Sequence, residues 1–196
     1  ALLKHASNVP QCALAIERVF VDAGFPKGVF RTLLIGAAQI EQVIADPRVH
    51  AVTLTGSEPA GRKVAAAAGA HLKKSVLELG GSDPFIVLED ADLALTVSSA
   101  LVSRFQNAGQ SCIAAKRFIV VKAIAEDFLA LFKNEVEKLT AGDPAGENTR
   151  LAPMARGDLR EELHRQMSVS LQRGAVQVTG CAPLPGPGYF YAASIL

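Results

Sequence analysis

A chain of 196 residues with 49% hydrophobic content, and with 20 Lys+Arg against 19 Asp+Glu for a formal net charge of +1, can bury a sizeable core. It has no basic run to follow a phosphate backbone, no window of about 18 apolar residues to span a bilayer, and no secretory leader pattern. These features argue against nucleic acid and membrane as partners and make a cytoplasmic location the expectation. Three cysteines, few and odd in number, argue for reduced thiols rather than a disulfide framework.

The chain begins at Ala1, without methionine, in an apolar run and stops in another, Tyr189 to Leu196. Natural termini are usually polar, so a segment of a longer polypeptide is expected, with apolar ends prone to association or disorder. From Ala1 to Glu78 short apolar runs alternate with helical stretches, the pattern of βα units around a parallel sheet. Leu2-Leu3 begins a strand, and Asn8 is the predicted N-cap of a helix through about Ala23. Pro10 sits in its first turn, Ala13, Ile16, Val19 and Phe20 share one face, and Gly24 ends it. A second strand follows over Val29 to Ile35, then Gly36, a short helix over Gln39 to Ala45, and a third strand over Val49 to Thr55 that runs into Gly56-Ser57. A helix from about Glu58 to Gly69 and a strand over Lys74 to Leu79 complete this part.

Gly80-Gly81-Ser82-Asp83-Pro84 is a breaker cluster, and it divides the chain into expected domains of 1–80 and 81–196. Beyond it, Phe85 to Leu88 and Phe118 to Val121 read as strands. Helices are expected over Leu93 to Arg104, with Asp92 near the start, and at about Ile124 to Leu139 and Leu159 to Arg173. Val176 to Val178 alternates like a strand, and Pro183 to Gly188 is a loop. The fold class is therefore α/β: a partial, Rossmann-like parallel sheet followed by a second α/β domain.

Cys112 is the candidate nucleophile, since a thiolate adds readily to a carbonyl carbon and leaves again. Its bland reading is a small buried hydrophobe. Glu78 closes an apolar run at the end of a strand, where enzymes built on parallel sheets place their chemistry, although most such carboxylates are simply solvated. Thr55-Gly56-Ser57 followed by Gly61 can turn a strand into a helix whose N-terminus faces an anion, or can be a plain turn. Lys4 is by itself a surface lysine, Gly36 a turn glycine, Asn107 a turn residue and Gln110 a partner for its own loop. Cys12 reads as packing and Cys181 as a free loop thiol. Histidines 5, 50, 71 and 164 show no metal-ligand spacing, so no metal is expected.

Phe105-Gln106-Asn107-Ala108-Gly109-Gln110-Ser111-Cys112 and Glu78-Leu79-Gly80-Gly81 resemble the FxNxGQxC and ELGG signatures of the NAD(P)-dependent aldehyde dehydrogenases, and the 34-residue interval between Glu78 and Cys112 matches that family. The resemblance covers essentially the whole chain. It implies a Cys112 thiohemiacetal that gives up hydride to a nicotinamide, leaving a thioester, and Glu78 as the general base that activates water to hydrolyse it. It also implies the Cys112 N–H as one oxyanion donor, with the second donor on an asparagine N-terminal to this segment, and a glutamate for the nicotinamide ribose beyond Leu196. Lys4, Ser7, Gly56, Ser57 and Leu79 are the implied cofactor-binding residues, for NAD or NADP. Ser7 stands where many NAD-preferring members carry a glutamate, which predicts tolerance of NADP. The family forms homo-oligomers, through parts mostly outside this chain.

Glu78 to Leu88, Lys116-Arg117-Phe118 and Pro153-Met154-Ala155-Arg156 most resemble the bacterial succinate-semialdehyde dehydrogenases of the family, which implies succinate semialdehyde as substrate. Gln106 departs from a branch whose arginine there holds the substrate carboxylate, and Ile113 and Ala114 leave no neighbouring thiol for a redox switch. Another small aldehyde, or a catalytically silent nucleotide-binding fragment, are the alternatives.

Overall fold

Every named strand pair in the computed structural model, which describes residues 1–196, is parallel, as expected where helical crossovers separate the apolar runs. The chain divides into two units, Ala1–Leu79 and Gly80–Leu196.

In the first unit β1 (Leu2–Leu3) pairs with β2 (Arg31–Thr32) across helix α1 (Pro10–Asp22). A 3-10 turn, Ala37–Gln39, leads into the short helix α2 (Ile40–Ala45). Strand β3 (Ala51–Thr55) then pairs with β4 (Lys74–Glu78) across α3 (Glu58–Ala70), in a register that sets Thr55 opposite Glu78.

Three expectations for this unit change. Val9, not Asn8, occupies the N-cap of α1, because Pro10 is the first helical residue: its fixed φ and missing N–H suit that position and put the cap one residue before it. The buried side of α1 carries Ala13, Glu17 and Phe20, while Ile16 and Val19 are 45% and 65% exposed. Glu17 turns inward because β2 offers it donors: the Thr32 N–H reaches its carboxylate at 2.7 Å and the Arg31 guanidinium at 3.0 Å. The second strand shortens to Arg31–Thr32, since β1 supplies only two residues to pair with it. Gly24 does end α1, at φ +80°, with the Phe25 N–H reaching back to the Phe20 carbonyl at 3.1 Å.

In the second unit β5 (Asp83–Val87) pairs with β6 (Ala115–Val120), joined by α4 (Leu93–Phe105). Asp92 caps α4 by accepting the Leu95 N–H at 3.0 Å. Helices α5 (Ala125–Glu137) and α6 (Gly157–Gln172) follow. The core gathers Val87, Val97, Ala100, Phe128, Phe132 and Val136 from β5, α4 and α5, and Phe118 closes it with its ring 5.1 Å from that of Phe132. Burying a phenylalanine fully stabilises by about 1.5–3 kcal/mol, so Phe128 and Phe132 anchor α5 on the sheet. On the other face of this pair Ile86 and Ile119 are exposed.

Val176 to Val178 forms no strand; the chain makes only single bridges, Thr179 to Ile195 and Pro183 to Tyr191. Gly180 and Cys181 both take positive φ, +71° and +67°, which bends the backbone out of the extended form a ladder needs. No helix is long and apolar enough to cross a membrane.

Candidate active site

In the first unit the parallel register brings four of the sequence-predicted residues together. Thr55 and Glu78 end β3 and β4 side by side, and the Gly56 N–H donates to the Glu78 carbonyl at 2.9 Å, so Gly56, Ser57, Glu78 and Leu79 share one C-terminal strand edge. Ser57 is the N-cap of α3, its hydroxyl accepting the Ala60 N–H at a long 3.4 Å, and Pro59 removes one donor from that helix end. Glu58 is exposed and pairs along α3 with Arg62 at 2.5 Å.

Leu79 packs its side chain on α3, where a Cβ added at Gly61 would come within 2.7 Å of it, so only the Leu79 main chain is left for a ligand. A Cβ at Gly56 would meet nothing closer than Leu54, at 3.5 Å, so packing within the chain does not demand glycine there. The Glu78 side chain is exposed. Lys4 and Ser7 follow β1, Lys4 half-buried and Ser7 exposed, and between them the ring Nε2 of His5 is buried without a partner in the chain.

In the second unit α4 ends at Phe105 and the backbone reverses hand. Asn107, Ala108 and Gly109 take φ of +52°, +53° and +74° in succession. Left-handed backbone costs a non-glycine residue roughly 1–2 kcal/mol, and such outliers persist only where the surroundings hold them. Gly109 is buried at the start of this loop, and Ala114 and Ala115, 1% and 3% exposed, are buried at its end, while Cys112 is exposed between them. The Cys112 N–H donates to no acceptor of the chain.

Gln110 does more than bind its own loop. Its amide nitrogen donates to the Asn107 carbonyl at 3.2 Å, and its Oε1 accepts the Ala155 N–H at 3.0 Å, tying the loop to the segment before α6. The Cys112 carbonyl lies against Gly81, where a Cβ would come within 3.3 Å of it, and Lys116 and Arg117 donate to the Gly81 and Ser82 carbonyls. The half-buried Arg104 donates to the Gly109 carbonyl at 2.8 Å and the Ala115 carbonyl at 3.0 Å. Sequence reasoning missed Arg104, because a cation near a helix C-terminus reads as ordinary complement to the helix dipole. A cavity of about 680 Å³ has Arg104, Ala108, Gln110, Phe128 and Tyr191 in its lining and lacks Cys112, so it is not where an aldehyde would meet the thiol.

Of the other thiols, Cys12 is exposed rather than packed, because it lies off the Ala13 side of α1. Cys181 is a free thiol in a loop, as expected, but it is buried, and burial pushes its pKa up. Iodoacetamide at mildly alkaline pH is therefore expected to label Cys112 first, Cys12 more slowly and Cys181 hardly at all in the native protein, followed by peptide mass spectrometry. Equal rates at Cys112 and Cys12 would count against an activated nucleophile. No group of three or more His, Cys, Asp or Glu side chains is arranged to hold a metal ion.

The parallel α/β unit Gly80–Leu196 thus presents Cys112 to solvent on a loop held at Gly109, Gln110 and Ala115. Residues 1–196 match the aldehyde dehydrogenase family, and the chain belongs to that family. It is 51% identical over 195 residues to the NADP(+) succinate-semialdehyde dehydrogenase 1 of Mycobacterium ulcerans, an alignment covering 100% of this chain and 43% of that protein. The structure of the Streptococcus pyogenes succinic semialdehyde dehydrogenase in complex with NADP+ superposes with a TM-score of 0.95 at 39% identity, over 98% of this chain and 42% of that one. Lactaldehyde dehydrogenase from Escherichia coli superposes with a TM-score of 0.94 at 31% identity, over 98% of this chain and 41% of that one. The chain thus spans roughly two fifths of the length of the relatives it matches.

Proposed function

We propose that this chain is the part of an NADP-using succinate-semialdehyde dehydrogenase that carries its thiol, its general base and part of its cofactor site, with 1–80 contributing to the cofactor-binding domain and 81–196 to the thiol domain. The observation that carries this reading is Cys112 held exposed at the apex of a strained, clamped loop within the family's motif. The Cys112 thiolate adds to the aldehyde carbon, and the Cys112 N–H, unpaired within the chain, is available to donate to the oxygen that gains charge. A nicotinamide, when bound, would supply the hydride acceptor that turns the Cys112 adduct into a thioester. Glu78 takes a proton from water; the hydroxide adds to the acyl carbon, and the thiolate departs with release of the acid.

The residues present fit a dinucleotide. Ser57 and the thirteen-residue α3 offer a helix N-terminus to a pyrophosphate, Gly56 is free of side-chain bulk, and the main chain of Leu79 lies at the same edge. Lys4 and Ser7 would hold the adenosine ribose, and the unpartnered His5 Nε2 beside them is the kind of buried orphan that a bound polar group satisfies. Ser7 favours NADP because it places no carboxylate against a 2′-phosphate.

The test is reduced-nicotinamide formation by the full-length protein with succinate semialdehyde and each cofactor; no activity with either would refute the reading. In the same assay Ser7→Glu is expected to raise the KM for NADP at least about tenfold and that for NAD much less. Like charges a few Å apart in a partly screened site repel by about 1–4 kcal/mol. Gln106, exposed where a carboxylate-binding arginine would stand, favours a second reading: oxidation of another small aldehyde, as the likeness to lactaldehyde dehydrogenase also suggests. A kcat/KM higher for lactaldehyde than for succinate semialdehyde would select it. Assembly into homo-oligomers in the full-length protein remains part of the proposal, to be checked by light scattering.

A further inference from the structure

We propose that Arg104 is the positioning residue of the nucleophile: its guanidinium fastens together the two ends of the loop that carries Cys112. This rests on the reading of Cys112 as the thiol that attacks the aldehyde.

The loop is geometrically unusual. It enters through three successive left-handed residues, two of them not glycine, and leaves through a buried Ala114-Ala115 pair into β6. Such a backbone relaxes unless something holds it. Arg104, on the last turn of α4, donates through Nη2 to the Gly109 carbonyl at 2.8 Å and through Nη1 to the Ala115 carbonyl at 3.0 Å. These carbonyls stand three residues before and three residues after Cys112. One planar fork therefore spans the loop at its base and leaves the thiol at the apex. The Ser103 hydroxyl adds only a long contact, 3.4 Å from the Ala115 nitrogen.

The site is shaped around this side chain. A Cβ on Gly109 would lie 2.1 Å from Arg104 Nη2, so glycine at 109 serves the guanidinium as well as the positive φ. The described hydrogen bonds of the guanidinium all go to these main-chain carbonyls rather than to a carboxylate. Burial lowers its pKa from the ordinary guanidinium value, yet an arginine stays charged at any working pH, so both bonds are charge-assisted. The position demands two donors in a fixed plane. Lysine supplies a single point, and glutamine a shorter amide that cannot span both carbonyls.

The experiment compares full-length wild type, Arg104→Lys and Arg104→Gln. It measures kcat and KM with succinate semialdehyde and NADP, Cys112 alkylation by iodoacetamide with Cys12 as internal reference, and the melting temperature. A loop that misplaces its thiol by about 1 Å loses on the order of 100-fold in rate. Both variants are expected to lose 10- to 100-fold in kcat with both KM values within about threefold of wild type, and to shift Cys112 alkylation at least about threefold against Cys12. A lower melting temperature with kcat unchanged in the folded variants would overturn the proposal, leaving Arg104 a stabilising residue only. If the wild type oxidises no aldehyde, the proposed function fails and alkylation alone decides: a threefold shift supports the clamp and an unchanged ratio refutes it. Arg104→Lys keeps one bond and the charge, so it reads the outcome if Arg104→Gln does not fold.

Discussion

Cys112→Ala in the full-length protein is expected to lower aldehyde oxidation by at least about 10⁴-fold, the range seen when a covalent nucleophile is removed from a site that otherwise stays assembled. The thiol is exposed, and its loop is held through Gly109, Gln110 and Ala115 rather than through its own side chain. The substitution should therefore leave stability within about 0.5 kcal/mol of wild type. Cofactor affinity should also hold, because the candidate binding residues lie in the Ala1–Leu79 unit. Turnover assays paired with a fluorescence titration of NADP separate these outcomes. Activity above about one per cent of wild type would move the nucleophile to another residue.

The second large effect concerns Glu78. Glu78→Gln keeps the shape of an exposed strand-end side chain and removes its basicity. General-base catalysis is worth typically 10²–10⁴-fold, so steady-state turnover should fall by about that much. The loss should be confined to thioester hydrolysis, which follows hydride transfer. A rapid-mixing experiment is expected to show one reduced nicotinamide per active site in a fast burst, followed by slow turnover. A slow time course with no burst would assign Glu78 to an earlier step.

The sheet edge at Glu78 and the helix N-terminus at Ser57 were legible in the sequence because each depends on local chemistry. An apolar run stops at a Gly pair, and a serine precedes a helix with proline as its second residue, whichever unit they join. The same holds for Gly24, whose positive φ few other residues tolerate. The inward side of α1 was not legible in this way. The apolar stripe through Ile16 and Val19 was visible, but the edge donors of β2 turned Glu17 inward instead. A pattern of residue types records which face is apolar, not which polar group a distant strand will call upon. The failed strand at Val176 to Val178 has a similar origin, since alternation cannot foresee that Gly180 and Cys181 bend the chain two residues later.

Sequence by itself determined the α/β class, the order of the strands and helices as far as α6, and the identity of the motif cysteine and carboxylate, because periodicity and Gly-marked segments are properties of neighbours along the chain. Only the tertiary structure decided how the cysteine is presented. The left-handed run at Asn107 to Gly109, the Gln110 bond to Ala155 and the Arg104 bridge from Gly109 to Ala115 join residues whose relation no local rule encodes. Their geometry exists because α4 and β6 pack through Val97, Ala100 and Phe118, which brings a helix terminus and a strand start close enough for one guanidinium to reach both.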